Sequence, residues 1–455
     1  MVGDDLFAIP YLDGYLLYSP LQGLLVLITG AGLASILLNP TASMSTCLSE
    51  CEIKPDEDLI RLLDTKARLH PRMCNGHQED DFLPTQLTLS LTSACQMACI
   101  YCYIHGGDSP RAMSWKTAEA ALRTVFDNSV ARSKDTFEVE FHGQGEPTAN
   151  WPLLRQSVLL AEDLCDREGL TPRFSLVTNG ILSTAKASFL AEHGFRVGIS
   201  MDGLQEIMDV QRPLRSGASS FETLMRSLRL LEEHHVDYCI RSTVTSIGVQ
   251  SMKDFAVFVR EKTKCRYINF EPVCETGRAR DAGLADSDLM SKFLIHFREA
   301  SAFGRQNGMQ IGLSSCRLDG LRSSFCSAYG PDLNFCVSTD GFVSSCYEVL
   351  DLSDPRGDMF IYGCYDPSLN AFVLDNNKVR RLRSLDVTGI ERCRDCFVKW
   401  NCGGDCIAKA ALGGLQAVIG SEALQRCFLT RNITADELLC TLFAPSQTGG
   451  GDALV

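Results

Sequence analysis

Three cysteines lie close together in the segment Cys95-Gln-Met-Ala-Cys99-Ile-Tyr-Cys102. Three thiolates on one short loop can bind three irons of a 4Fe–4S cluster, which leaves the fourth iron free to bind another molecule. A structural zinc ion would need a fourth ligand, for which His105 is a candidate. A disulfide would leave one thiol over. The number and spacing of these cysteines therefore favour an iron–sulfur cluster with an open coordination position.

A second group of cysteines lies toward the C-terminus. Its seven members are Cys326, Cys346, Cys393, Cys396, Cys402, Cys406 and Cys427. A CxxC pair with further cysteines downstream is typical of zinc ribbons as well as of iron–sulfur sites. The spacing alone does not distinguish zinc from an iron–sulfur cluster.

The elements that position these cysteines belong to a globular protein of 455 residues. The net charge of −13 argues against a nucleic-acid partner. The chain has 21 cysteines but no positively charged segment at its start that would direct secretion, so we expect a reduced, cytoplasmic, metal-binding protein. The apolar stretch 21–38 is interrupted by Gly23, Gly30 and Gly32, which argues against a membrane span, and we expect there an apolar helix that follows two short strands.

Residues 86–270 alternate between strand and helix patterns six times. The predicted strands are 86–91, 137–141, 174–177, 196–201, 238–244 and 266–270, and the predicted helices between them are 114–129, 152–168, 184–192, 220–233 and 252–262. Because parallel strands need helical crossovers, this order predicts an α/β fold with a partial (β/α)6 TIM-like barrel. Active sites of such folds lie at the carboxyl ends of the strands, and the first cysteine group directly follows the first strand.

We expect four regions along the chain. Residues 1–80 form an N-terminal α+β region that includes a helix near 55–69. Residues 85–315 form the barrel, 316–442 a cysteine-rich domain and 443–455 a tail. Cys47, Cys51 and Cys74 receive no role.

The first cysteine group resembles the CxxxCxxC motif of the radical S-adenosylmethionine (SAM) superfamily. The resemblance implies that the open iron binds SAM, whose cleavage yields a 5′-deoxyadenosyl radical. Residues carried over from family motifs would bind this cofactor: Tyr101, Gly143, Gly145, Glu146, Pro147, Thr178, Asn179, Ser200, Asp202 and Arg241. Glu146 matches the carboxylate for the SAM amino group and Arg241 a cation for its carboxylate. The motif GGEP departs at Gln144, which replaces the second glycine.

The second cysteine group resembles the SPASM domain, which holds two auxiliary 4Fe–4S clusters. The resemblance implies an outer cluster on Cys393, Cys396, Cys402 and Cys427, and an inner cluster on Cys326, Cys346 and Cys406. The fourth inner ligand would be Cys316 or Cys336, or that position is open. If Asp340 and Gly341 form a two-residue hairpin turn, Cys336 and Cys346 point to opposite sides of the ribbon, which favours Cys316.

The resemblance implies a peptide maturase that installs an oxidative carbon–carbon or thioether cross-link. Its partners would be a precursor peptide with a leader, bound by the N-terminal region, and an electron donor such as flavodoxin or ferredoxin. Glu140 and His142 are candidate catalytic residues, because the polar face of the second strand points into the barrel. Glu348, two residues after Cys346, is a third candidate as a base, although one step along a strand changes the face on which a side chain lies.

Two alternatives are kept. The first is a formylglycine-forming enzyme of the anaerobic sulfatase-maturating type. Such enzymes carry an aspartate directly after the cysteine that matches Cys346, whereas Tyr347 stands here. The second alternative is a non-enzymatic, metal-bound scaffold that binds a peptide.

Overall fold

The computed structural model describes residues 5–29, 82–284, 287–411, 414–420 and 424–443. The predicted helix near 55–69, the three cysteines without a role and tail residues 444–455 lie outside this part.

The main sheet has eleven strands in the order β10-β9-β8-β7-β6-β5-β4-β11-β12-β13-β14. The strands of its parallel part are β4 (Gln86–Leu89), β5 (Thr136–Phe141), β6 (Thr171–Thr178), β7 (Arg196–Ser200), β8 (Tyr238–Val244), β9 (Tyr267–Pro272), β10 (Gln310–Gly312) and β11 (Phe335–Val337). β4 to β9 are the six predicted strands, which confirms the partial barrel. β10 extends the barrel beyond the sixth strand, and β11 pairs with β4 on the other side.

The antiparallel strands continue from β11 into the C-terminal part of the chain. They are β12 (Phe342–Ser344), β13 (Ile361–Asp366) and β14 (Ala371–Leu374). The antiparallel strands of the cysteine-rich part are therefore a direct continuation of the barrel sheet. This continuity fixes the position of its cysteines relative to the carboxyl ends of the barrel strands.

Helices cover the outer face of the sheet. In the barrel they are Trp115–Ala131, Trp151–Glu168, Thr184–Glu192, Gln205–Gln211, Ser220–Glu233, Met252–Lys262, Arg278–Ala282 and Leu289–Gln306. In the C-terminal part they are Gly357–Phe360, Asn376–Arg383, Lys399–Cys402, Ile407–Ala410, Gly414–Ile419 and Gln425–Phe443. The predicted bounds of 184–192, 220–233 and 252–262 are confirmed to the residue. Ser114 caps the first barrel helix, as predicted, by accepting a hydrogen bond from the Thr117 backbone N–H.

The strand β5 shows how the sequence pattern builds the layers. Phe137, Val139 and Phe141 are fully buried against the helices, whereas Glu138 is exposed. Alternation with a period of two places every second side chain on the helix-covered face. The opposite face carries the polar side chains toward the barrel interior.

A separate antiparallel sheet of β1 (Phe7–Tyr11), β2 (Gly14–Ser19) and β3 (Leu24–Thr29) forms the described N-terminal region. The apolar stretch that we predicted to be helical begins instead as strand β3, and its remainder lies outside the described residues. The run Leu-Leu-Val-Leu-Ile suits a half-buried strand, because it pairs with β2 along its whole length. Among the described helices, none is both long and apolar enough to cross a membrane.

The N-terminal sheet packs on the C-terminal part of the chain. Leu16 and Leu438 share a small apolar cluster with the end of the last helix. The Tyr18 hydroxyl donates a hydrogen bond of 2.6 Å to Asn401 Oδ1. Asp5 forms an ion pair with Lys399 at 2.5 Å. The sheet is therefore attached to the short helix that ends at Cys402.

The β11–β12 hairpin differs from the predicted turn by one residue. Cys336 pairs with Ser344, and Ser338 N–H donates a hydrogen bond to the Phe342 carbonyl, so the loop has three residues. Ser345 therefore does not face Cys336, as the two-residue turn required. The geometric argument that favoured Cys316 over Cys336 as a ligand is wrong for this reason.

Candidate active site and metal centres

A cavity of about 270 Å³ opens at the carboxyl ends of the barrel strands. Its lining includes residues at the carboxyl ends of the six successive strands β4 to β9 and three residues from the C-terminal part. Among the lining residues are Cys95, Cys99, Tyr101, Cys102, His142, Gly143, Gln144, Gly145, Glu146, Thr178, Asn179, Ser200, Arg212, Arg241, Glu271, Cys274, Tyr347, Glu348 and Lys409. The predicted face of the barrel therefore carries the cavity.

The three cysteines of the first group all line this cavity. Their loop is braced by backbone hydrogen bonds from Ala98 to the Pro213 carbonyl and from Ile100 to the Gln211 carbonyl. Burial raises the pKa of the Cys99 thiol to about 12. All cysteines in the described part are free thiols, so this group is not consumed by a disulfide.

Glu146 is a buried carboxylate held in a fixed orientation. Its Oε1 accepts hydrogen bonds from the Thr178 hydroxyl at 2.7 Å and the Thr148 N–H at 3.0 Å. Its Oε2 accepts from the Asn179 N–H at 2.7 Å. The Asn179 amide reaches Cys95 Sγ at 3.8 Å, so this carboxylate and the cysteine loop belong to one site. Pro147 begins the 3-10 helix Pro147–Asn150 and lies behind the cavity wall.

The residues before Glu146 explain the altered glycine motif. A Cβ on Gly145 would lie 2.5 Å from the Ala94 carbonyl oxygen, and one on Gly143 would lie 2.7 Å from Ser90. Gln144, in contrast, has room for its side chain. Its Oε1 accepts hydrogen bonds from the Thr339 N–H at 2.9 Å and the Thr339 hydroxyl at 3.0 Å. The departure from GGEP therefore ties this loop to the β11–β12 turn.

Tyr101, Asp202 and Arg212 form a buried polar network beside the cysteine loop. The Tyr101 hydroxyl donates to Asp202 Oδ2 at 2.6 Å and accepts from Arg212 Nη1 at 2.5 Å. Burial raises the pKa of Asp202, and the Arg212 charge opposes this rise. Asp202 lies behind Tyr101. The sequence did not identify Arg212 as a site residue, because a lone arginine at the end of a helix carries no periodic signal.

The predicted residue Arg241 lines the cavity on β8, and Ser200 lines it at the end of β7. Among the described residues, no carboxylate lies within ion-pair distance of the Arg241 guanidinium. The Tyr347 ring packs against His142 in a tilted arrangement, with 4.4 Å between ring centroids, and it interacts electrostatically with Arg241. The site therefore offers a cation to an incoming anion.

His142 and Glu140 differ in their access to the cavity. Burial lowers the pKa of His142 to about 3, so the imidazole is neutral at physiological pH, and its Nδ1 has no hydrogen-bond partner. Glu140 lies behind the cavity lining and accepts a hydrogen bond of 3.2 Å from Thr88. Burial raises the pKa of Glu140. Of these two candidates, the structure brings His142 into the cavity.

Glu348 and Lys409 bring opposite charges from the C-terminal part. Strand β12 ends at Ser344, and beyond it both Tyr347 and Glu348 line the cavity. The alternation of side chains along a strand therefore does not direct Glu348 away from the cavity. Burial disfavours the charge of Lys409, but Cys274 and Glu348 raise its pKa. Glu271 is neutralised by Arg426, whose Nη1 lies 2.6 Å from its Oε2.

Four cysteines of the second group line a separate, small cavity. They are Cys393, Cys396, Cys402 and Cys427, the set predicted for the outer cluster. Burial raises the pKa of Cys393 to about 12. Arg392 and Arg431 line the same cavity. These two arginines also escaped the sequence reasoning.

The remaining cysteines of that group are close enough to interact with one another. The charges of Cys326 and Cys406 both act on Cys346. Cys316 has different neighbours, because its sulfur accepts a hydrogen bond of 3.3 Å from Thr434 on the last helix. Cys336 is fully buried opposite Thr88 of β4 and interacts with Cys326.

In the portion that the structure describes, no three His, Cys, Asp or Glu side chains converge tightly enough to ligate a single metal ion.

Comparison with known proteins identifies the chain's relatives. Residues 89–260 match the model of the radical SAM superfamily. A serine-type anaerobic sulfatase-maturating enzyme of Klebsiella pneumoniae is 24% identical over 340 residues, 72% of this chain and 82% of the relative. A cysteine-type anaerobic sulfatase-maturating enzyme of Clostridium perfringens is 26% identical over 332 residues, 69% of this chain and 86% of the relative.

Solved structures show the same fold. Native anSMEcpe with bound AdoMet superposes with a TM-score of 0.62 at 20% identity, covering 78% of this chain and 98% of that one. Streptococcus suis SuiB bound to S-adenosylmethionine superposes with a TM-score of 0.51 at 15% identity, covering 92% and 98%. With its cysteine loop at the mouth of a partial barrel and the SPASM cysteine pattern behind it, this chain carries a radical SAM domain over residues 89–260.

Proposed function

We propose that this enzyme is a maturase that oxidises a cysteine or serine side chain of a peptide or protein to the aldehyde formylglycine. The anaerobic sulfatase-maturating relatives support this reaction over the cross-link that the sequence analysis put first. The observation that carries the proposal is the single cavity that joins the cysteine loop to Tyr347, Glu348 and Lys409 of the C-terminal part. A substrate side chain in this cavity would meet both regions.

The residues present fit SAM and a 4Fe–4S cluster. Cys95, Cys99 and Cys102 would hold the cluster. Glu146 would accept the SAM ammonium, since a carboxylate oxygen accepts more than one hydrogen bond. Arg241 offers the SAM carboxylate a cation with no anion at ion-pair distance in the described portion. The backbone of residues 92–94 leaves no room for a Cβ on Gly145, so this glycine lets the loop that carries Glu146 pack directly against the segment before Cys95.

Other parts of the SAM molecule would meet side chains that the structure places nearby. Tyr101 is held by Asp202 and Arg212, so its ring has a fixed orientation for the adenine. Ser200, Thr178 and Asn179 present polar groups toward the space between Glu146 and Arg241.

The C-terminal cysteines fit two auxiliary clusters. We assign the outer one to Cys393, Cys396, Cys402 and Cys427, which share one cavity. Cys326, Cys346 and Cys406 would hold the inner one. Its fourth ligand is Cys316 or Cys336, or the position is open to substrate.

When bound, the cluster and SAM supply a radical that removes hydrogen from carbon. Oxidation of a serine or cysteine side chain also releases one proton and one electron. Serine then gives the aldehyde directly, whereas cysteine gives a thioaldehyde, which water converts to the aldehyde with release of hydrogen sulfide. Glu348 is our candidate to accept the proton, because it lines the cavity and its Oε2 lies 3.9 Å from Arg356 Nη1. His142 contributes a neutral hydrogen-bonding group, and the inner cluster would accept the electron.

A second candidate function is the peptide cross-link. The observation that favours it is Tyr347, which stands where sulfatase-maturating enzymes carry an aspartate. The N-terminal sheet is a second argument, since an exposed strand edge can bind a leader peptide as an added strand. SuiB was solved with its precursor peptide SuiA. An electron donor such as flavodoxin or ferredoxin and a cytoplasmic location belong to either proposal.

The two functions are separated by the chemistry of the product. Both reactions can remove two hydrogens from a peptide, so the mass alone does not distinguish them when serine is oxidised. The reconstituted enzyme is incubated anaerobically with SAM, a reductant and peptides that contain a sulfatase-type cysteine or serine. A product that reacts with an aldehyde-specific hydrazide supports formylglycine. A dehydrogenated product that resists the hydrazide and yields linked fragments after proteolysis supports the cross-link.

A further inference from the structure

The C-terminal wall of the cavity carries two opposite charges that the protein leaves without a hydrogen-bond partner. Glu348 and Lys409 both line the cavity. The charge of Glu348 acts on Lys409, but the two side chains do not form an ion pair with each other in the described structure. Neither side chain forms a hydrogen bond to another described residue. A molecule in this cavity therefore meets a carboxylate and an ammonium group at the same time.

A buried arginine holds the segments that carry these two charges. Arg356 contacts Glu348 only loosely, with 3.9 Å between Nη1 and Oε2. Its Nε and Nη2 donate to the Asp354 carboxylate at 2.9 and 2.8 Å, and its Nη1 donates to the Ala408 carbonyl at 3.1 Å. The guanidinium is therefore bound mainly to Asp354 and does not neutralise Glu348. Because Ala408 directly precedes Lys409, the same arginine fixes the spacing of the two segments.

Glu271 does not take up the ammonium group of Lys409, although the two charges act on each other. Its Oε2 accepts a hydrogen bond from Arg426 Nη1 at 2.6 Å. Its Oε1 accepts from the Ser314 N–H at 2.8 Å and from the Asn269 amide at 3.1 Å. The acceptor positions of Glu271 are thus occupied by other donors. The N–H groups of Lys409 stay available to a molecule in the cavity.

A hydroxyl group fits between a carboxylate and an ammonium group. It donates one hydrogen bond, which Glu348 can accept, and it accepts others, which Lys409 can donate. A thiol is a weaker partner in both directions, because S–H is a weak donor and sulfur a weak acceptor. The Cys274 thiol, which lines the cavity and acts on Lys409, is a poor acceptor for the same reason.

We infer that Lys409 is a catalytic residue for the oxidation of serine, where it binds the side-chain oxygen and stabilises the negative charge that forms when Glu348 accepts the proton. The inference rests on the formylglycine function proposed above and narrows its substrate to a serine-containing peptide. One hydrogen atom leaves serine Cβ for the radical, the hydroxyl proton goes to Glu348 and one electron goes to the inner cluster. The C–O single bond thereby becomes the C=O double bond of the aldehyde.

The need for a cation differs between serine and cysteine. A free thiol has a pKa of about 8.5, whereas a hydroxyl group loses its proton far less readily. A cysteine side chain can therefore give its proton to Glu348 without further help. A serine side chain needs its oxygen to be stabilised while the proton leaves, and a preorganised donor at such an oxygen contributes about 10²–10³-fold to the rate.

The test compares two peptides that differ only in having serine or cysteine at the target position. The reconstituted full-length enzyme is incubated anaerobically with SAM and a reductant, and the aldehyde is measured with a hydrazide. Lys409→Met should reduce aldehyde formation from the serine peptide about a hundredfold. It should reduce formation from the cysteine peptide less than about tenfold, because sulfur gains little from the donor. Lys409→Arg keeps a charged donor and should retain most of the serine reaction.

Three controls separate a chemical effect from a folding defect. The cysteine peptide reports an intact site in the same variant, whose iron content and SAM affinity should match those of the wild-type enzyme. Lys409→Gln is a second neutral variant for the same comparison if Lys409→Met loses iron. Lys253→Met is the matched control, because Lys253 is exposed on the helix Met252–Lys262 and its replacement should change neither reaction.

The outcomes separate the inference from the proposed function. If Lys409→Met leaves the serine reaction unchanged, or slows both peptides equally, the inference is wrong and the formylglycine function stands. The inference is equally overturned if the wild-type enzyme forms aldehyde only from the cysteine peptide. If the wild-type enzyme cleaves SAM but forms aldehyde from neither peptide, the proposed function is wrong and the inference falls with it.

Discussion

Replacing Tyr101 with phenylalanine tests the buried network beside the cysteine loop. The substitution keeps the ring but removes the hydroxyl that joins Asp202 to Arg212. Asp202 retains hydrogen bonds from Gln211 and from the Thr243 N–H. Arg212, which is only 7% exposed, loses the acceptor of its Nη1.

The expected cost follows from these contacts. A hydrogen bond to a charged group contributes about 1.5–3 kcal/mol, and an unsatisfied buried group costs about 1–3 kcal/mol. Because Asp202 keeps two of its partners, we expect a loss of about 3 kcal/mol in local stability rather than the sum of both ranges. This corresponds to a roughly hundredfold larger population of the locally open state.

Amide hydrogen exchange measures this quantity directly, since it reports the free energy of local opening. Peptides that contain Tyr101 and Arg212 should exchange faster in the variant. SAM affinity should change little, because the ring is retained. The matched control is Tyr365→Phe, whose hydroxyl donates to Asn370 at an exposed position and should cost almost nothing.

Two results would contradict the reasoning. Unchanged exchange in both peptides would mean that the network does not stabilise the cysteine loop. A large loss of SAM affinity with unchanged exchange would mean that the Tyr101 hydroxyl contacts the cofactor directly.

Three further predictions concern the cavity. Gly145→Ala should reduce SAM affinity at least tenfold, because its Cβ would meet only backbone atoms, and overpacking of this kind costs about 1–3 kcal/mol. Isothermal titration checks this against Gly320→Ala, whose Cβ meets nothing within 4 Å. Cys99→Ala should abolish 5′-deoxyadenosine formation and lower the iron content from about twelve to about eight per chain; SAM cleavage that persists would contradict the assignment of the loop. Glu348→Gln should reduce product formation more than tenfold while uncoupled SAM cleavage continues, and chromatography of the modified peptide and of 5′-deoxyadenosine measures both. An equal loss of product formation and of SAM cleavage would show that Glu348 is not the proton acceptor.

The barrel was predictable because its signals repeat. Each of the six strands β4 to β9 is followed by a helix, and six such units in series leave little choice of topology. The apolar stretch after Gly23 was not predictable in the same way. A short run of large apolar residues suits a strand or a buried helix equally, and pairing with β2 decides it.

The site was predictable where a motif fixes chemistry to a strand end, as for Cys95, Glu146 and Arg241. It was not predictable where a single charged residue reaches the cavity from a distant segment. Arg212, Lys409 and Arg431 have no periodic pattern. Lys409 reaches the cavity because the C-terminal part packs on the barrel, whereas Arg212 and Arg431 are placed by packing within the barrel and within the C-terminal part. The hairpin of β11 and β12 shows the limit of register arguments, since one extra loop residue reverses which side chains share a face.

The nature of the reaction depends on the C-terminal wall of the cavity. The barrel side holds groups for the cofactor, whereas Tyr347, Glu348 and Lys409 face the place where a substrate would enter. A proton acceptor one position later than the aspartate of the sulfatase-maturating enzymes would meet the substrate from a different direction. The Gln144 contact with Thr339 fixes this wall to the cofactor loop, so the distance between hydrogen removal and proton removal is set by the fold. Formylglycine formation requires both events on one side chain, whereas a cross-link requires a second side chain beside it. The residue of the substrate that lies between Glu348 and the cysteine loop therefore decides which product this enzyme forms.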